Sequence, residues 1–153
     1  MRRLLAIAAL LLSGHAASQD ISLPDYERVV LDNGVVLLLA EKHDVPLVGL
    51  QAVVRGGTAA DPVERAGMAS LLATLLEKGA GDRDAATFAE AAAAVGGSIG
   101  AGAEMESFTI MADFLSRDAE LMIELVADML MRPTLAEEEF VKEQQRSIAL
   151  LQA

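Results

Sequence analysis

Gly67 to Gly79 reads GMASLLATLLEKG, and the rest of the chain is best understood outward from it. Met68, Leu71, Leu72, Leu75 and Leu76 recur at helical spacing, which predicts one continuous apolar stripe packed against a core. Ser70, Ala73, Thr74 and Glu77 fall together on the opposite face. The helix is expected to stop at Gly79 and Gly81.

Upstream, Tyr26 to Leu31 and Val35 to Glu41 are apolar and β-branched, and Asp32-Asn33-Gly34 between them tolerates the positive φ of a tight turn, so a hairpin is predicted. Leu47 to Arg55 reads as a third strand ended by Gly56-Gly57. Downstream, Asp82 or Asp84 can cap a helix over Ala85 to Val95. Ser98 to Ala103 and Ser107 to Phe114 form a second strand pair, the first of them built from small residues. Small residues there suit close packing on a helix, or the close approach of a peptide backbone to Ser98, Gly100 and Ala101. Ser116 is positioned to cap a helix carrying Leu121, Met122, Leu125, Val126, Met129 and Leu130 on one face. Thr134 and Glu137 have capping-box spacing for a last helix. The expected fold is α+β, an antiparallel sheet of about five strands with helices packed on one side.

The N-terminus is expected to be a signal peptide over residues 1–18. Arg2 and Arg3 precede the nine-residue apolar run Leu4 to Leu12, and small residues follow around Ala16 and Ser18. Nine residues are too few for a spanning helix, which needs about 20. A periplasmic or secreted location follows, with no membrane attachment after cleavage. Loss of Arg2 and Arg3 takes the formal charge from −11 to −13, which disfavours nucleic acid and anionic lipid as partners. Residues 19–153 are then expected to form one domain, truncated at its C-terminal end because no Gly or Pro stops the last helix before Ala153.

The polar face of the Gly67 to Gly79 helix has the geometry of an H-x-x-E-H motif, in which two imidazoles and a carboxylate meet on one side of a helix. Here the slots read Ser70, Ala73 and Thr74. Two hydroxyls and a methyl supply neither the nitrogens zinc prefers nor a general base. The chain has two histidines and no cysteine, and His15 lies in the expected leader. His43, alone between Lys42 and Asp44, is expected to be a solvated turn residue.

Leu31-Asp32-Asn33-Gly34, Arg55-Gly56-Gly57, Gly67-Met68-Ala69, Lys78-Gly79 and Gly96-Gly97-Ser98 resemble, in order and spacing, the insulinase and pitrilysin family of inverted-motif zinc peptidases, processing-peptidase-like branch included. The resemblance runs from about Tyr26 to the end. It implies a metallopeptidase-like N-terminal domain in which the zinc histidines fall at Ser70 and Thr74 and the catalytic glutamate at Ala73. The family's third ligand, a glutamate roughly seventy-five residues beyond the second histidine, lands near Leu150. Where the family tends to carry an asparagine after Gly-Gly-Ser, Gly100 stands. All five positions depart from the pattern, so no catalytic and no metal residue is assigned to this chain. The implied role is a non-catalytic subunit pairing with an active zinc-peptidase homologue and helping to enclose peptide substrate, with zinc held only by the partner. The alternative is a zinc metalloendopeptidase acting in its own right on peptides.

Overall fold

The computed structural model describes residues 24–152, so the expected leader lies outside the described residues. The chain divides between His43 and Asp44 into two compact units. In the first, β1 (Glu27–Val30) and β2 (Val36–Leu39) pair antiparallel with Val30 opposite Val36. The turn closes as its residues dictate: Gly34 has φ 86°, and the Asn33 side chain accepts from the Val35 N–H at 3.1 Å.

The second unit is built on an antiparallel sheet of β3 (Leu47–Arg55), β7 (Ser107–Leu115) and β6 (Ser98–Ala103), in the order β3-β7-β6. All five strands expected from the sequence form, three in this sheet and two in the hairpin of the first unit. Alternation assigns the faces. Val48, Leu50 and Ala52 of β3, Ile110, Ala112 and Phe114 of β7, and Ile99 and Ala101 of β6 point to the core, whereas Val53, Met111 and Asp113 face outward.

Helices cover the inner face. Helix α2 (Ala85–Ala93) buries Phe88 and Ala92, and α3 (Ala119–Met131) buries Met122, Leu125, Val126 and Met129 on the stripe expected of it. Gly97, leading into β6, passes so close to Phe114 that an added Cβ would lie 2.5 Å from the ring. Helices α1 (Met68–Leu76) and α4 (Glu137–Leu151) complete the unit. Among the described residues no helix is long and apolar enough to cross a membrane.

Three local expectations are corrected. The α1 stripe does not enter the core as a whole: Ala69, Ala73 and Leu75 are buried, while Met68 and Leu72 remain 45% and 36% exposed. Helix α1 lies against β6, and small side chains are what allow a helix to approach a Gly- and Ala-rich strand. Gly79 and Gly81, expected to end a helix, instead frame a two-residue ladder of β4 (Gly79–Ala80) and β5 (Arg83–Asp84). Neither Ser116 nor Thr134 caps its helix. The Ser116 N–H donates to Pro46 O, and a 3-10 turn intervenes before α3. Thr134 is taken by the β4–β5 ladder, its N–H donating to Gly79 O, and α4 starts after Ala136 without a side-chain cap.

One buried charge in α3 is unexpected from its apolar surroundings. Asp128 is held by Arg132 at 2.6 Å and Arg83 at 3.3 Å, and Arg83 also meets Glu124 at 2.6 Å. Two cations thus balance two carboxylates, which keeps the buried one from standing uncompensated.

Replacing Gly97 with Ala should cost about 1–3 kcal/mol, because the new methyl has nowhere to go but into a fully packed ring. Urea unfolding of the variant measures it, and an unchanged midpoint would mean that β6 shifts freely. Asp84 caps α2 as expected, and the Thr87 hydroxyl first, then the Thr87 N–H, hold its carboxyl below the usual range. With its folded value depressed, that contribution is present above the ordinary carboxylate range and is lost as pH falls through the lowered value. Asp84→Asn, which still caps but does not titrate, should shed this part of the acid sensitivity in urea midpoints followed from neutral into acid.

Candidate functional site

The approach to α1 is rigidly defined. Gly57 has φ 85°, and a Cβ there would strike the Glu104 carbonyl and come within 2.6 Å of Ser107 N. Only glycine passes this point. The next amides are bolted to the β6–β7 connection, Thr58 N–H donating to Glu104 O and Ala59 N–H to Met105 O. Asp61 then caps α1 from a distance: its carboxylate accepts from Gly67 N at 2.9 Å and from Ala69 N at 3.0 Å. A negative charge on the free amides of a helix start is favourable twice over, as acceptor and as counter-charge.

At its other end α1 is tied by two side chains. Glu77 Oε1 accepts from Ala101 N of β6 at 2.7 Å, and Lys78 Nζ meets Glu143 Oε1 of α4 at 3.2 Å. Glu143 is 4% exposed and Arg146 lies 3.7 Å from its second oxygen. Sequence reasoning missed Asp61, Glu77 and Glu143. The only signal was Lys78-Gly79 within the resemblance, and it named no partner.

Between α1 and α4 runs a groove of about 830 Å³. Ser70 and Thr74 line it from α1, and Ser147, Ile148 and Leu150 from α4. The three positions matched to zinc ligands, Ser70, Thr74 and Leu150, therefore converge on one space although they are spread over eighty residues of sequence. Ala73, matched to the catalytic glutamate, does not line the groove and is 3% exposed.

The donor set does not fit zinc. The Thr74 hydroxyl donates to Ser70 O at 3.1 Å and the Ser147 hydroxyl to Glu143 O at 2.8 Å, so both are engaged with their own helices. Leu150 offers only methyls. Among the described residues no group of three or more His, Cys, Asp or Glu side chains is placed to hold a metal ion. The one buried acid of α4, Glu143, is occupied by Lys78 and is not part of the groove lining. The two polar residues that follow Ser70 on its face of α1 are both engaged elsewhere, Thr74 with the backbone and Glu77 with β6. His43 is exposed, 3.5 Å from Glu41.

Ser98, Gly100 and Ala101 stand on β6, which has β7 on one side only among the described residues. A smaller apolar hollow of about 520 Å³ lies beyond Met68 and Leu71, closed by Phe108, Leu135 and Phe140.

Antiparallel sheets backed by helices, with a short helix bearing degenerate ligand slots facing the last one, define a metallopeptidase-like α+β fold. The chain belongs to the insulinase family, peptidase family M16, whose model matches residues 36–152. It is a degenerate member, with Ser70, Ala73 and Thr74 where the motif has its histidines and glutamate. Its fold is similar to that of an inactive domain of an M16 peptidase from Pseudomonas fluorescens, at 20% identity and a TM-score of 0.76, over 82% of this chain and 31% of that one. A protease from Helicobacter pylori is similar at 22% identity and a TM-score of 0.72, over 80% and 30%. The chain thus spans less than a third of the length of either. No curated protein matches the sequence.

Restoring ligands stepwise probes the groove. Ser70→His with Thr74→His should bind zinc weakly, since two imidazoles leave the metal under-coordinated. Adding Leu150→Glu should tighten binding by more than about tenfold, the loss that even outer-shell defects cause. Isothermal titration compares the two, and equal affinities would mean that α4 does not bring position 150 to Ser70 and Thr74.

Proposed function

We propose that this chain is a non-catalytic subunit of an exported zinc-peptidase assembly, pairing with a homologue that carries the intact motif and helping to enclose its peptide substrate. The observation that carries this reading is the groove itself. Its walls bring the three ligand positions together, yet hydroxyls and methyls occupy all of them. The frame has been kept where the chemistry has not, which is what a subunit valued for its shape and surface requires. The similar fold of an inactive M16 domain from Pseudomonas fluorescens supports the same direction. Zinc belongs to the partner in this reading, and the partner supplies the general base. Export rests on the Arg2-Arg3 and Leu4 to Leu12 pattern.

Co-expression with a homologue bearing His-x-x-Glu-His, encoded nearby, tests the proposal. The two chains should co-purify from the periplasm, this one starting after Ala16 or Ser18, and peptide hydrolysis should require both. Stoichiometric zinc and peptidase activity in this chain purified alone would overturn it.

A further inference from the structure

Helix α3, AELMIELVADMLM, is apolar on more than the side it buries. Met122, Leu125, Val126 and Met129 turn to the core. A second stripe, Ile123, Ala127, Leu130 and Met131, repeats at i, i+4, i+7 and i+8 on the solvent side. Ile123, Leu130 and Met131 are 57%, 42% and 73% exposed there. A surface helix ordinarily keeps its outward side polar, and one that is apolar on both sides is a helix covered on both. Among the described residues nothing lies over this stripe. No residue of α3 lines the groove or the smaller hollow, so the stripe belongs to neither.

The charges at its two ends say what fits it. Glu124 is held by Arg83 at 2.6 Å. Glu120, in the first turn, has no partner among the described residues, and Arg132, just past the last turn, keeps a side chain 60% exposed beside Asp128. The stripe therefore begins negative and ends positive. A second copy laid antiparallel brings each Glu120 within a turn of the other copy's Arg132, whereas a parallel copy sets Glu120 against Glu120. The same two-fold arrangement seats Ile123 beside Leu130 and Met131 of the other copy. It brings the two Ala127 residues together at its centre, where a methyl group is small enough for helices to cross closely. An anionic lipid surface does not fit, because it repels the acidic start of the stripe.

We propose that the outer stripe of α3 is a self-association surface, on which a second copy of this chain packs antiparallel about a two-fold axis at Ala127. The proposal goes beyond the pairing with a catalytic homologue and leaves the groove open to it. A helix of 13 residues offers a strip about 20 Å long and about 10 Å wide. That is on the order of a few hundred Å² per copy, where a stable interface buries about 800 Å² on each side. The association is therefore weak and reversible, with a dissociation constant of roughly 100 μM. It strengthens wherever another contact already holds two copies close.

The test uses the chain from Gln19 onward, which carries no cysteine of its own. Sedimentation velocity, from well below to well above roughly 100 μM, should show monomer passing into dimer. Ile123→Lys and, separately, Met131→Lys should keep the urea midpoint of the unaltered chain, since both sites are exposed in the monomer. Each should weaken association by more than about tenfold, because a two-fold interface counts the buried charge twice. Single cysteines read the geometry. Under mild oxidation Ala127→Cys should give a disulfide-linked dimer, its two Cα atoms meeting across the axis, while Glu120→Cys, about 20 Å from its counterpart, should not. Monomer at every concentration, undiminished association of both lysine variants, or cross-linking of Glu120→Cys as fast as Ala127→Cys would each overturn the proposal.

Discussion

Everything at the groove depends on where α1 is held, and polar ties at both ends hold it alongside its buried Ala69, Ala73 and Leu75. Asp61 fixes its first amides, Glu77 fixes its last turn to β6, and Lys78 fixes the following residue to Glu143 of α4. The helix has only nine residues, too few for propensity alone to sustain it. Two of the five residues of its apolar stripe, Met68 and Leu72, remain exposed, so burial contributes less than the sequence pattern suggests. Polar ties at both ends supply the missing constraint. They also set the separation of α1 and α4, because the Lys78–Glu143 pair joins the two helices beside the groove.

What could be read from the sequence was what depends on neighbours in the chain. The Asp32-Asn33-Gly34 turn, the β3 and β7 strands, the stripe of α3 and the Asp84 cap are all local, and each is found in the fold. Interactions across the fold were not legible. Asp61 caps from six and eight residues upstream, outside any capping-box spacing. Thr134 had the spacing and lost the role, because the β4–β5 ladder offered its backbone a better partner. Asp128 gave no hint of burial: Arg132 is its neighbour four residues on, but Arg83, the second arginine, comes from β5.

The candidate site divides in the same way. Ser70 and Thr74, which the helical period puts on one face, line one groove with Leu150, the position the family spacing points to. Helical period alone could not tell that Ala73 turns inward while its two neighbours in the motif line a groove. Nor could it show that Glu77, one turn beyond Thr74, reaches a strand twenty-four residues further on.

The burial of Ala73 makes the motif hard to install stepwise. A lineage trying to recover the motif one substitution at a time would first have to accept a carboxylate at a closed position with no metal to neutralise it, a change that costs several kcal/mol. Recovering the imidazoles first brings no metal-binding advantage worth selecting while position 150 remains aliphatic. Each single step toward the motif is thus neutral or harmful, and only their combination is useful. The packing around position 73 acts as a barrier to rebuilding the motif one residue at a time.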